Sequence, residues 1–167
     1  AGEIEAQLTL AGAKAELLAR GSQAEAFVQL ALDASMVGSN AVALGLCEEM
    51  IRLATTYTSE REQFGRPIAT FQAVAHRLAD CHIDTECLRA AQEQAVCRFC
   101  DSQFNPGETR LAILAAHHLA AEALHRVSHG AQQVHGGTGV DRDYPLFRYC
   151  LQARKIELGF GGGSAAL

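Results

Sequence analysis

The spacing of hydrophobic residues predicts four long helices joined by three short connections. From residue 22 onward, apolar side chains recur every three or four positions, as they do in helices that bury one face. Glycine and proline interrupt this pattern between residues 60 and 68, and turn-forming residues interrupt it again later. The predicted helices span about residues 22–59, 71–99, 108–134 and 145–158. Because short connections make neighbouring helices antiparallel, the predicted fold class is an all-α, up-down antiparallel four-helix bundle.

A different pattern precedes the helices. Polar residues at positions 3, 5, 7 and 9 alternate with apolar residues at positions 4, 6, 8 and 10, which is typical of a half-buried β-strand. No later segment alternates in this way, so the strand has no evident partner in the chain. Either another part of a larger polypeptide or another chain must pair with it. We take the chain to be the C-terminal part of a larger protein, with residues 1–20 as a preceding segment and residues 21–167 as the helical-bundle domain.

Composition and charge exclude several classes of function. Only 3 prolines and 6% aromatic residues argue against a β-sandwich. The net charge of −5 argues against nucleic-acid binding, since phosphate contacts need clustered Lys and Arg. No uninterrupted apolar run reaches the roughly 18 residues of a membrane helix, so no membrane association is expected. The six cysteines lie in helical segments, which favours reduced thiols and a cytoplasmic protein.

Two connections carry residues suited to phosphate binding, although common catalytic motifs are absent. The first contains Arg61, the Phe64 ring and a glycine, and a guanidinium binds phosphate through two parallel hydrogen bonds. In the second, Gln133 precedes Gly136 and Gly137, whose bare backbone lets a ligand approach closely. In an antiparallel bundle both connections lie at the same end. Two ordinary turns would show the same residues, so both interpretations stay open on this pattern alone.

These connections and their surroundings resemble the acyl-CoA dehydrogenase family. The matching residues are 57–68, 71–72, 76–80, 133–139 and 144–145, from Tyr57-Thr58-Ser59-Glu60-Arg61 to Tyr144-Pro145. The match covers roughly residues 22–160 in the expected order. The resemblance implies a subunit with a helical domain, a middle β-domain and a C-terminal four-helix bundle. This chain would be the bundle, preceded by the last strand of the β-domain.

The resemblance also implies FAD as cofactor, held partly by the bundle of a neighbouring subunit. The residues implied to bind it are Arg61, Phe64, Ile68, Phe71, Gln72, Gln133, Gly136 and Gly137. Arg61 is expected at the pyrophosphate, the aromatic and aliphatic side chains near the adenosine, and Gln133 with the two glycines at the phosphates. The implied partners are further subunits in a homo- or hetero-oligomeric dimer or tetramer, an acyl-CoA substrate and an electron acceptor such as an electron-transfer flavoprotein.

The family's reaction, part of fatty acid metabolism, is α,β-dehydrogenation of acyl-CoA thioesters, and it needs a carboxylate base. Counting from the matched motifs places the two family base positions on Phe160 or Gly161 and on Ser35, and none of these is a carboxylate. The nearest acids are Glu157, a weak candidate, and Asp33. The chain therefore resembles either part of a working flavoenzyme or the catalytically silent subunit of a heteromeric acyl-CoA dehydrogenase.

Three other classes of function are compatible with parts of the sequence. One is a structural assembly module without flavin, and another is a flavin monooxygenase or nitroalkane oxidase on the same scaffold. The third is a metal-binding bundle built on His125 and His129, which share a helix face. Cys97 and Cys100 form a C-x-x-C, but neither pattern completes a zinc site. No metal site is predicted.

Overall fold

The computed structural model describes residues 6–101 and 103–163. Its four helices are α1 (Ser22–Glu60), α2 (Gln72–Cys100), α3 (Pro106–His135) and α4 (Pro145–Glu157). Between α1 and α2, strands β1 (Glu62–Gln63) and β2 (Arg66–Pro67) form a small antiparallel hairpin. Short 3-10 turns follow at Ile68–Thr70, Gly136–Val140 and Gly159–Gly161. The all-α four-helix bundle is confirmed, and every predicted helix boundary lies within two residues of the observed one.

The β-strand predicted over residues 3–10 pairs with no other segment in the described part of the chain. Residues 3–5 lie outside the described residues, and residues 6–10 form no strand. The physical reason is that no other segment of the described chain offers a pairing edge, and a strand without a partner is not stable in water. The assignment of residues 1–20 to a preceding β-domain stays a prediction.

Helix α3 lies at the centre of the packing and contacts each of the other three helices. Large apolar side chains are fully buried around it, and small ones let the backbones approach. The fully buried large residues of this core include Met50, Leu88, Leu124, Val127 and Leu146. At Gly130 of α3, a Cβ would lie 2.5 Å from the Cys81 sulfur of α2, so this contact requires glycine. The close packing fixes the relative positions of the helix ends, where the site residues lie.

The N-terminal part of α1 differs from the rest of the bundle because it exposes apolar residues. Residues 25–32 are all exposed, and Phe27 and Leu30 have 59% and 58% of their surface accessible. By length and composition alone, α1 is also apolar enough to cross a membrane. Its C-terminal part packs inside the bundle and buries Asn40 and Thr58, as core helices do. The absence of membrane association stays a prediction.

Candidate functional site

An aromatic cluster joins the end of α1 to the end of α3. The rings of Tyr57 and His135 stack with centroids 4.4 Å apart. His135 donates from Nδ1 to the Ala131 carbonyl at 2.7 Å, which leaves Nε2 to accept from the Tyr144 hydroxyl at 3.2 Å. Burial lowers the pKa of His135, so the neutral ring that this arrangement needs is favoured. The cluster therefore holds the two phosphate-binding candidates at one end of the bundle.

The hairpin that follows α1 begins at Arg61. The Arg61 backbone N–H donates to Tyr57 at 2.9 Å, and its carbonyl accepts from the Ile68 N–H at 2.8 Å. These bonds close the loop, and Phe64 and Gly65 at its tip have φ of 56° and 77°, as a type I′ turn requires. Within residues 6–101 and 103–163, the exposed Arg61 guanidinium makes no hydrogen bond or ion pair. It is free to bind an anion.

Aromatic rings form the outer face of this hairpin. Phe64 is 91% exposed, and its ring meets that of Phe71 edge to face at 6.1 Å. The Arg66 guanidinium lies over the Phe71 ring, 4.3 Å from its centroid. The two rings and the guanidinium thus form one small exposed aromatic face. Ile68 and Phe71 are half-buried beside it, and Gln72 is exposed.

The end of α3 contributes accessible backbone. A shallow cavity of about 320 Å³ is lined by His129, Gln132, Gln133, Gly136 and Val140. Gly136 has a φ of 60°, and neither it nor Gly137 has any atom near the place that a Cβ would occupy. The cavity therefore offers a side-chain amide beside open peptide groups, which suits a phosphate.

The structure thus brings the eight predicted cofactor residues to one end of the bundle as two neighbouring groups. Five come from the α1–α2 connection and three from the end of α3. Their chemistry is a free guanidinium, exposed aromatic rings and bare backbone, which together suit a phosphate-bearing ligand with an aromatic base. The surface that these residues form is open.

The two predicted base positions lie near the other end, and no carboxylate occupies them. The Ser35 hydroxyl donates to the Ala31 carbonyl at 2.7 Å. Phe160 packs edge to face on the His117 ring at 5.4 Å. Gly161 follows with a φ of 92°. None of these groups can accept a proton from a substrate.

The two nearest acids are held in ion pairs. Glu157 accepts from Arg154 at 2.6 Å and from His125 Nδ1 at 3.1 Å. Asp33 pairs with Arg110 and accepts from Gln29 at 2.9 Å. Both carboxylates are thus already engaged by neighbouring side chains of the bundle. Both acids therefore have a structural role where they stand.

The metal-binding alternative gains no support. His125 and His129 lie with ring centroids 4.5 Å apart, but His125 is directed to Glu157. In the described part of the chain, no group of three His, Cys, Asp or Glu side chains is arranged to hold a metal. All six cysteines are free, and burial raises the pKa of the Cys47 thiol to about 12, which leaves it unreactive.

The sequence profile of the acyl-CoA dehydrogenase C-terminal domain matches residues 25–165. This chain belongs to the acyl-CoA dehydrogenase family. It is 39% identical to acyl-CoA dehydrogenase FadE27 of Mycobacterium tuberculosis over 164 residues, which cover 96% of this chain and 44% of that protein.

Two solved structures are similar to this chain in fold and in sequence. The ChsE4–ChsE5 complex of Mycobacterium tuberculosis superposes with a TM-score of 0.76 at 40% identity, over 80% of this chain and 35% of that chain. A variant of Tcur3481–Tcur3483, described as a steroid ACAD, gives a TM-score of 0.75 at 42% identity, over 81% and 36%. The chain spans less than half the length of these relatives.

Some polar residues of this family member were not singled out by sequence reasoning. Asn40 and His117 are buried between α1 and α3 and form a hydrogen bond with one another. In the sequence, each lies in an apolar stretch and resembles an ordinary helix residue. His135 and Tyr144 belong to the matched motifs, but their contact follows only from packing. The one available signal was polar residues at core-facing helix positions.

Proposed function

We propose that this chain is the part of a flavin-dependent acyl-CoA dehydrogenase that assembles the oligomer and completes an FAD site without supplying the catalytic base. The observation that carries the proposal is that the base positions hold Phe160, Gly161 and Ser35 while both nearby carboxylates are held by cations. The base would come from a sister chain in a heteromeric enzyme. Two similar proteins of known structure carry paired names, ChsE4–ChsE5 and Tcur3481–Tcur3483, which supports this assembly.

The residues at the hairpin end fit part of an FAD molecule. Arg61 offers a free guanidinium for the pyrophosphate, and Gly136 and Gly137 leave open backbone beside the Gln133 amide. Phe64 and Phe71 offer apolar faces for the adenine. When bound, FAD supplies the hydride acceptor of the dehydrogenation. This chain's contribution is to bind and orient one end of the cofactor.

The bundle surface supports an oligomer as the working form. The exposed apolar residues of α1, among them Phe27 and Leu30, form a contiguous stretch that a soluble protein covers with another chain or domain. We place the assembled enzyme in the cytoplasm, with acyl-CoA as substrate and an electron-transfer flavoprotein as the type of electron acceptor. The flavin-free assembly module remains the alternative, because a free arginine and an exposed ring also occur at protein interfaces.

The test is to purify the full-length protein alone and together with a candidate sister subunit of the same family, and to compare size, flavin absorbance and acyl-CoA turnover. We expect flavin and turnover in the heteromeric complex and no turnover by this chain alone. Turnover by the isolated chain would reject the silent role. A complex without flavin would instead support the assembly module.

A further inference from the structure

The six cysteines fall into two groups by accessibility. Cys47 and Cys81 are buried and Cys150 is half-buried. Burial raises the pKa of each of these thiols, to about 12 for Cys47 and to about 11 for the other two. Because the thiolate is the reactive form, these three side chains are inert at neutral pH. The other three cysteines are exposed, and all of them lie on α2: Cys87, Cys97 and Cys100.

The helix separates the three exposed thiols by unequal distances. Cys87 and Cys97 are ten residues apart, which is about 15 Å along the helix axis. Cys97 and Cys100 are three residues apart, so they lie on the same face of adjacent turns with Cα atoms about 5 Å apart. A disulfide spans Cα atoms that are roughly 4.4–6.8 Å apart. Cys97 and Cys100 can therefore be joined without moving the rest of the bundle.

The pair occupies the last turn of α2. The helix ends at Cys100, and the following residue Asp101 is extended, with φ −111° and ψ 113°. The carbonyls of a last helical turn have no later turn to bond them, so this turn deforms more easily than one inside the helix. Some deformation is needed, because Cβ atoms three residues apart in a helix are about 5–6 Å apart and a disulfide holds them at about 3.5–4.5 Å. A bond would tighten this turn.

Arg98 lies between the two cysteines and links the last turn of α2 to the next helix. Its guanidinium donates to the Glu108 carboxylate of α3 at 3.0 Å. It also lies over the Phe104 ring of the α2–α3 connection, 5.0 Å from the ring centroid. Because Arg98 is inside the segment that a disulfide would tighten, the bond would redirect its side chain. The state of the two thiols is therefore coupled to the α2–α3 connection.

We infer that Cys97 and Cys100 form a dithiol site that exchanges with low-molecular-weight disulfides such as glutathione disulfide. One protein thiolate attacks the glutathione disulfide, forms a mixed disulfide and releases one glutathione thiolate. The second protein thiolate attacks the cysteine sulfur of that mixed disulfide, closes the Cys97–Cys100 bond and releases the second glutathione. The two protein thiols lose two electrons and two protons, and the two glutathione molecules take them up. The new bond tightens the end of α2 and breaks the Arg98 contacts.

The test incubates the full-length protein with glutathione disulfide at neutral pH, blocks the remaining thiols with iodoacetamide and digests the denatured protein with trypsin. Trypsin cleaves after Arg98, so Cys97 and Cys100 end in separate peptides, residues 90–98 and 99–110. We expect mass spectrometry to show these two peptides joined to one another, with the loss of two hydrogen atoms. Reduction with dithiothreitol before the digestion should separate them.

Single substitutions distinguish a pair from independent thiols. Cys97→Ser and Cys100→Ser each leave one thiol, which should retain glutathione as a mixed disulfide. Cys87→Ser is the matched control, because Cys87 is equally exposed on α2 but too distant to be joined, and it should leave the joined peptides unchanged. Glutathione on both Cys97 and Cys100 of the wild-type protein, or reaction at neither, overturns the dithiol site. A bond from either of them to Cys87 overturns it as well.

Hydrogen exchange measures the coupling to the α2–α3 connection. Residues 99–110 of the oxidised protein should exchange about twofold to fivefold faster than those of the reduced protein, the range for loss of one surface ion pair. Arg98→Ala should give the same increase in the reduced protein. Arg52→Ala, which removes an ion pair within α1, should not.

The two readouts can fail separately. Equal exchange in the oxidised and reduced proteins overturns the coupling through Arg98 and leaves the dithiol site in place. Neither measurement depends on flavin or on turnover of acyl-CoA, so a failure of the proposed function leaves both results unaffected.

Discussion

The two ends of the bundle use polar residues in opposite ways. About 30 Å separate Asn40 from Arg61 along α1, given the 1.5 Å rise per residue. At the hairpin end, Arg61 and Gln133 are exposed, and Arg61 makes no side-chain bond within the described ranges. At the other end, Asn40 and His117 are buried and bonded to one another, and Glu157 and Asp33 are paired with cations. Free polar groups indicate a ligand, and satisfied ones indicate structure.

The largest expected effect is on stability, at the buried end. Asn40→Ala leaves His117 Nδ1 without its partner and opens a cavity, so the free energy of unfolding should fall by about 3 kcal/mol. Arg61→Ala should leave it almost unchanged, because the guanidinium makes no hydrogen bond or ion pair within the described residues. Urea unfolding of the full-length protein measures both.

The double variant Asn40→Leu/His117→Leu sharpens this comparison. Replacing both polar partners by apolar groups of similar size removes the unsatisfied donor and acceptor, so it should recover much of the loss. The double variant could instead be less stable than Asn40→Ala. The polar pair would then contribute more to the free energy of unfolding than its shared hydrogen bond, and a purely structural role for this end would be incomplete.

The next effect is on cofactor affinity, at the hairpin end. Arg61→Ala should weaken FAD binding by the assembled enzyme by about tenfold to a hundredfold, the range for one charge-assisted hydrogen-bonding group. Arg61→Lys keeps the charge and loses the paired geometry, so its affinity should be intermediate. Arg148→Ala, an exposed arginine on α4, is the matched control. Equal flavin affinity in all three variants would separate Arg61 from the cofactor.

A smaller effect is the pH dependence of stability. Burial lowers the pKa of His117 and of His135 below the value of about 6.5 that they regain on unfolding. The unfolded state then binds more protons, so the free energy of unfolding should fall as the pH drops through 6.5 and continue to fall until the folded-state pKa is passed. Substituting Gln at both positions should flatten this slope. His82→Gln, at an exposed histidine, should not.

The smallest expected effect is that of Glu157→Gln. Because Glu157 is bonded to Arg154 and His125, we expect unchanged flavin reduction and only a slight change in stability. The measurement is the rate of acyl-CoA-dependent flavin reduction in the heteromeric complex. A large loss of that rate would make Glu157 the base and remove the contrast between the two ends.

The fold was predictable from sequence because it rests on local periodicity. The three- and four-residue spacing placed each helix, and the short connections placed Arg61 and Gln133 at one end. The strand predicted over residues 3–10 stays a prediction, because alternation describes one strand while a sheet needs a second edge, which the described chain does not offer. Contacts between residues far apart in the sequence also could not be predicted from it. The bond of Asn40 to His117 joins positions 77 apart, and no local pattern encodes it.

The central claim is that this chain helps to bind FAD and supplies no base. The most direct measurement is anaerobic addition of acyl-CoA to the full-length protein, first purified alone and loaded with FAD, then assembled with its sister subunit. The account predicts that flavin absorbance stays constant in the first sample and bleaches in the second. Bleaching in the isolated chain would contradict it.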